Sequence, residues 1–141
     1  MCSKVISTKN DLDLFGKISS SLGDSKKLQY DGYFMLANDI NYDDEWKSFI
    51  CRNTFQNNWN LQFDDESGFI GTFDGNGHVI SGLCPSSSKS NDVNGVSFIY
   101  KLGKKGIIKH VGFTNASLAG AGGYVVSIGE GTIENVYVKY K

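Results

Sequence analysis

The chain of 141 residues has one proline, one arginine (Arg52) and no surplus of either charge, with 14 Lys and Arg against 15 Asp and Glu. A net charge of −1 sets up no chain-wide field, so nucleic acid is not expected as a partner. No run approaches the roughly 20 apolar residues that cross a bilayer, and no basic-then-apolar leader opens the chain, so no membrane span is expected. Cys2, Cys51 and Cys84 are odd in number and spaced for neither a zinc site nor a disulfide framework. They read as buried or idle thiols, with one alternative: Cys2, directly behind Met1, as the lipid-modified first residue of an exported chain. No metal or cofactor is expected.

What the chain has instead is turns and ring-bearing strands. Seventeen glycines stand beside nine Phe and seven Tyr, a profile of many positive-φ corners between strands rich in aromatic and β-branched residues. The length suits one domain with a single core. Thr8 precedes Asp11 by three, the spacing of a capping box with Asp in the Glu position. Leu12, Phe15, Ile18 and Leu22 then recur on one helical face until Gly23, which predicts a short amphipathic helix within an N-terminal cap over 1–31. "GYFMLANDINY", Gly32 to Tyr42, changes to a strand pattern that offers Tyr33, Met35, Leu36 and Ile40 for burial.

Internal repetition dominates the remainder. Phe69, Gly71 and Phe73 alternate on one face, as do Phe98, Tyr100 and Leu102, and Tyr124, Val126 and Ile128. Each set leads into glycines and then a second apolar set: Ile80 and Leu83; Ile108, Val111 and Phe113; Ile133, Val136 and Val138. Aligned this way, Ile80, Ile108 and Ile133 lie 28 and 25 residues apart. Units this short cannot enclose their own apolar faces and must stack, each strand pairing with its counterpart in the next unit. The expected product over 32–141 is a parallel β-solenoid. Phe69, Phe98 and Tyr124 would form one ladder, and Ile80, Ile108 and Ile133 another.

"GTFDGNGHVISGL", Gly71 to Leu83, marks a corner of that stack. Asp74-Gly75 and Asn76-Gly77 are turn signals, and "HVISGL" reads as strand, whereas a phosphate cradle needs a helix start there. The stretch "FIGTFDGNGHVISGL" resembles the repeat of bacterial surface and secreted proteins that carry the GLUG motif. "YFMLANDINYDDEW" looks like the segment that opens such regions, and "GIIKHVGFTNASL" and "GTIENVYVKYK" are similar to the units that follow. The resemblance implies an all-β, right-handed parallel β-helix with a short N-terminal capping α-helix, at the cell surface or outside the cell. It also implies a scaffold or adhesin and carries over no catalytic residue.

Fold alone decides little, since parallel β-helices also host polysaccharide lyases, glycosidases and phage tail proteins. A glycosidase needs two carboxylates facing each other about 5 to 10 Å apart. Asp74 has Lys104 and Glu130 as counterparts in the repeat just described, so no pair is built there. His78 and His110 fall at different places in that repeat and read as solvent-facing strand residues. The segment best suited to ligand contact is the long insertion at about 41–68. Trp59 and Phe63 stand there among amides and the acids Asp64, Asp65 and Glu66, preceded by Asp43 and Asp44, a composition that stacks a sugar ring and bonds its hydroxyls. The bland alternative is that Trp59 and Phe63 cover the flank of the stack. A glycan or a host or cell-surface ligand is therefore the expected partner of a non-catalytic module. A polysaccharide-active enzyme, a phage tail-type protein and a purely structural spacer remain as alternatives. The terminal "NVYVKYK" reads as strand without a cap, so self-association through the C-terminal end is also expected.

Overall fold

Aromatic and β-branched runs separated by glycine and asparagine form nine strands among the described residues. The computed structural model describes residues 3–12, 15, 32–42, 69–83, 98–116 and 124–140. The strands are β1 (Ser3–Ile6), β2 (Tyr33–Leu36), β3 (Ile40–Asn41), β4 (Thr72–Asp74), β5 (Val79–Ser81), β6 (Ile99–Leu102), β7 (Ile107–Ala116), β8 (Val126–Gly129) and β9 (Thr132–Tyr140). Every pairing among them is parallel. Seven belong to one sheet and β6 pairs with β8 in a second.

The large sheet bends. The first half of β7 pairs with β4 (Phe73 opposite Ile108) and its second half with β5 (Ile80 opposite Phe113). β9 follows β7 through the same bend, with Ile133 opposite Ile108 and Val138 opposite Phe113. Two walls result, one built from β1, β2, β4 and the starts of β7 and β9, the other from β3, β5 and their ends.

This register keeps the predicted step from Ile108 to Ile133, with Val111 on Val136 and Phe113 on Val138, and corrects the step before it. Ile80 stacks on Phe113 instead of Ile108, whose own neighbours are Phe73 and Ile133. Phe69 bridges to Leu102, while Phe98 donates its N–H to the Tyr124 carbonyl. The cause is local: β7 turns its corner at His110, which takes φ 56° itself, so no glycine marks the bend. A sequence alignment keyed on glycines therefore slips from one wall to the other.

The core is a file of rings between the walls. Phe73 meets Phe98 at 5.0 Å, Phe98 meets Phe113 at 5.1 Å and Phe113 meets Tyr124 at 5.4 Å, all edge-on. Such pairs add about 0.5–1.5 kcal/mol each beyond their burial. The buried Tyr124 hydroxyl donates to the Leu83 carbonyl, and burial holds its phenol well above the ordinary range. Leu36 and Ile40 are buried as the sequence offered, but in β2 Phe34 joins Leu36 in the core in place of Tyr33 and Met35. A phenol needs a polar partner and Phe34 does not, so the strand presents Tyr33 outward, where its hydroxyl reaches Asp74.

The N-terminal capping box forms as its spacing predicts. The Asp11 N–H donates to Thr8 Oγ1 at 3.1 Å, and Asp11 Oδ2 accepts from the N–H groups of Ser7 and Thr8. These bonds, led by that of Ser7, hold the Asp11 carboxyl below its ordinary range. Helical backbone follows over 9–12 and at Phe15, whose ring packs on Phe34, Phe69 and Phe73. Ahead of it, β1 adds a strand that the sequence reading did not anticipate.

Candidate functional site

The bend of the large sheet gathers the polar side chains most able to meet a ligand. Three non-glycine residues turn it in the left-handed region: Asn76 (φ 53°), His110 (φ 56°) and Asn135 (φ 52°). Asn and His tolerate this region better than most residues, because short polar side chains bond locally. The Asp74–His78 corner adds Gly77 at φ 82°, and its backbone joins the next level through Gly75 N–H to the Lys109 carbonyl and Gly77 N–H to the His110 carbonyl. The turn expected at Asn76-Gly77 is therefore present, followed by strand β5.

Two histidines missed as a pair meet at this bend. His78 Nδ1 lies 3.1 Å from Asp39 Oδ1, which also accepts the Val79 N–H at 3.0 Å. The Val79 N–H, and after it His78, holds the Asp39 carboxyl below its usual value. A carboxylate facing Nδ1 places a proton there, which in the neutral ring leaves Nε2 as an acceptor. His110 Nδ1 lies 3.2 Å from the Asn135 side-chain nitrogen, one level along. Tyr137 closes the group: it stands opposite Gly112 in the ladder, and a β-carbon on Gly112 would lie 2.2 Å from its ring. The phenol thus lies directly on bare backbone with its outer face open, 56% exposed. His78, His110, Gly112, Asn135 and Tyr137 line one open groove of about 210 Å³.

On the first wall, Asp74 is buried and fully engaged. Its Oδ2 accepts from the Tyr33 hydroxyl at 2.5 Å and its Oδ1 from the Asn76 N–H at 2.8 Å. The bond to Asp74 raises the Tyr33 phenol above its ordinary range, and Lys109 Nζ stands 6.0 Å from the Tyr33 ring centre. The ladder neighbours of this series are Asp74, Lys109 and Glu134, not Lys104 and Glu130. Charge alternates along it, which favours the pairing and suits structure.

Asp43, Asp44, Trp59, Phe63, Asp64, Asp65 and Glu66, the residues singled out for ligand contact, lie outside the described residues. Among the described residues no group of three or more His, Cys, Asp or Glu is placed to hold a metal ion, and no helix is long and apolar enough to cross a membrane. The groove escaped sequence reading because its members come from three levels of the sheet. The one local signal was His110 and Asn135 in matching places, 25 residues apart.

No protein family's sequence profile matches the chain, and no solved structure matches it. It is 38% identical over 108 residues to Halomucin of Haloquadratum walsbyi. That match takes in 75% of this chain and spans about 1% of the length of Halomucin.

Proposed function

We propose that the chain is a non-catalytic module of a cell-surface or secreted protein, folded as a right-handed parallel β-helix and used for adhesion or glycan contact. The observation that carries this reading is the unbroken parallel ladder from β1 to β9, turned at the same bend on successive levels. Such stacks are extended scaffolds that display side chains along their faces. Likeness to one small stretch of the far longer Halomucin supports a unit that works within a long chain. The carboxylates Asp11, Asp39 and Asp74 are each tied into hydrogen bonds that shape the backbone, which favours scaffold over acid–base chemistry.

Two contacts belong to this proposal. The segment with Trp59, Phe63, Asp64, Asp65 and Glu66, with Asp43 and Asp44 before it, supplies aromatic and acidic groups for a sugar. The outer edge of β9 supplies a place for self-association: Ile133 and Tyr140 sit in line with the buried Ile108 and Ala116 yet are 50% and 59% exposed.

The deciding experiment is retention of the purified chain and of Trp59→Ala on immobilised polysaccharides, with released reducing ends assayed in the same wells. Retention without sugar release establishes a binding module. Release makes the chain an enzyme, and silence in both assays leaves the spacer reading.

A further inference from the structure

We propose that the groove at the bend, floored by Gly112 and walled by Tyr137, His78, His110 and Asn135, is a binding site for one pyranose ring of a neutral glycan. The inference rests on the reading of the module as a glycan-contacting surface and places a contact on residues outside the 41–68 segment.

Four observations converge on a sugar. Pyranoses have a flat face of C–H groups rimmed by hydroxyls, and they are held by an aromatic plane with donors and acceptors around it. Tyr137 supplies the plane. Its ring lies on Gly112, where the ladder neighbour Val79 carries a side chain and Gly112 carries none, so backbone supports the ring from beneath. A phenol pressed against backbone loses little freedom when a second plane stacks on its outer face, which lowers the entropic cost of binding.

The rim carries both kinds of hydrogen-bonding partner. His78 Nδ1 is engaged by Asp39, so Nε2 is left to accept a hydroxyl proton. His110 Nδ1 accepts from the Asn135 amide in the recorded orientation, which leaves its Nε2–H as a donor. The Tyr137 hydroxyl, unengaged among the described residues, serves as either. A vicinal diol asks for such a mixture, whereas a phosphate or sulfate would need donors only and would meet the Asp39 carboxylate behind His78.

Backbone conformation gives the third support. His110 and Asn135 hold left-handed φ at the bend, as Asn76 does beside Gly77 on the level below, and glycine is the residue that takes this conformation at least cost. A glycine in either position would turn the chain at less cost, but it would remove the rim.

Size is the fourth. About 210 Å³ falls short of the ~300–1,000 Å³ that enclose a drug-sized ligand, so the groove takes one ring and leaves the rest of a glycan on the surface. Affinity for a single ring then belongs in the millimolar range and would gain where several sites engage one glycan together.

The test is two-dimensional NMR of the full chain titrated with methyl glycosides of glucose, galactose and mannose. Saturation transfer from protein to sugar is measured alongside. The proposal expects shifts confined to Gly112, Tyr137, His78 and His110 with at least one of the three, and loss of transfer in Tyr137→Ala. Gly112→Ala is the second variant: the three atoms nearest its new methyl all belong to the outer end of the Tyr137 side chain, which can swing aside, so the chain folds but the ring lifts, and binding weakens about tenfold or more. Binding that survives both substitutions and disappears in Trp59→Ala overturns the groove and leaves the glycan module standing. Absence of any shift at the groove with all three sugars overturns the site outright, and silence on the polysaccharide panel as well removes the glycan reading with it.

Discussion

The ring of Phe98 stands edge-on to that of Phe113, their centroids 5.1 Å apart and their planes at 60°. Phe98 leads into β6 of the small sheet and Phe113 belongs to the second wall of the large one, so the pair locks the two sheets together. Phe113→Ala should lower stability by about 3–5 kcal/mol in equilibrium urea unfolding, a large part of the 5–15 kcal/mol of an ordinary domain. A loss under about 1 kcal/mol would place the core elsewhere.

Ile108 and Ile133 are neighbours in one ladder, the first fully buried and the second half exposed. Ile108→Ala is expected to cost about 2–5 kcal/mol and Ile133→Ala about half as much at low protein concentration. If β9 pairs with a second copy, the cost of Ile133→Ala rises with protein concentration, because burial then depends on association. Urea unfolding at two concentrations, beside sedimentation, reads both effects.

Thr8→Ala removes the hydroxyl that accepts the Asp11 N–H, and about 1 kcal/mol of stability with it. Asp11→Glu restores the usual acidic member of the capping box and should be close to neutral. Thermal unfolding distinguishes them, with a drop of a few degrees for the first alone.

Gly75 and Gly77 are two residues apart and fail for different reasons when substituted. A β-carbon on Gly75 would stand 2.4 Å from the His110 carbonyl oxygen and from Val111 Cβ, in packed structure that cannot step aside. A β-carbon on Gly77 meets nothing within 4 Å, and only φ 82° opposes it, at about 1–2 kcal/mol. Gly75→Ala should therefore be the more damaging of the two. Equal losses would contradict the close approach of the two levels.

Asp39 carries a pH dependence of definite sign. Its folded-state value lies below the ordinary 3.8, held there first by the Val79 N–H and then by His78. A depressed carboxyl stabilises the fold above its unfolded-state value and loses that contribution as pH falls through the folded one. Between wild type and Asp39→Asn, the stability gap should be present at pH 5 and shrink as pH drops below 3.8. With 66% of the Asp39 side chain exposed, the gap is small and fades with added salt. A gap that widened as pH fell below 3.8 would reverse the assignment.

The all-β, parallel character of the chain was legible because alternating rings and branched aliphatics between glycines leave few other ways to bury one face. The Thr8–Asp11 box and the Asn76-Gly77 turn were legible for the same reason: each is a contact between residues close in sequence. Register was not. It depends on His110 and Asn135 accepting left-handed φ, a choice made by cross-strand packing and invisible in composition. The facing of β2 was misread because Tyr33 and Phe34 are both large and aromatic, and only Asp74, 41 residues away, decides which turns outward. Beyond the matching places of His110 and Asn135 the groove left no trace in the sequence, since His78, His110 and Tyr137 come together only once the levels are in register.

At the bend, four residues (75–78) separate the pairing positions Asp74 and Val79, but two separate Lys109 from Gly112 on the next level, and both walls stay paired. The ladder is thus indifferent to how much chain is spent in the turn. That makes Asn76-Gly77 a natural splice point, where a peptide of foreign sequence can be grafted and carried outward without disturbing either wall.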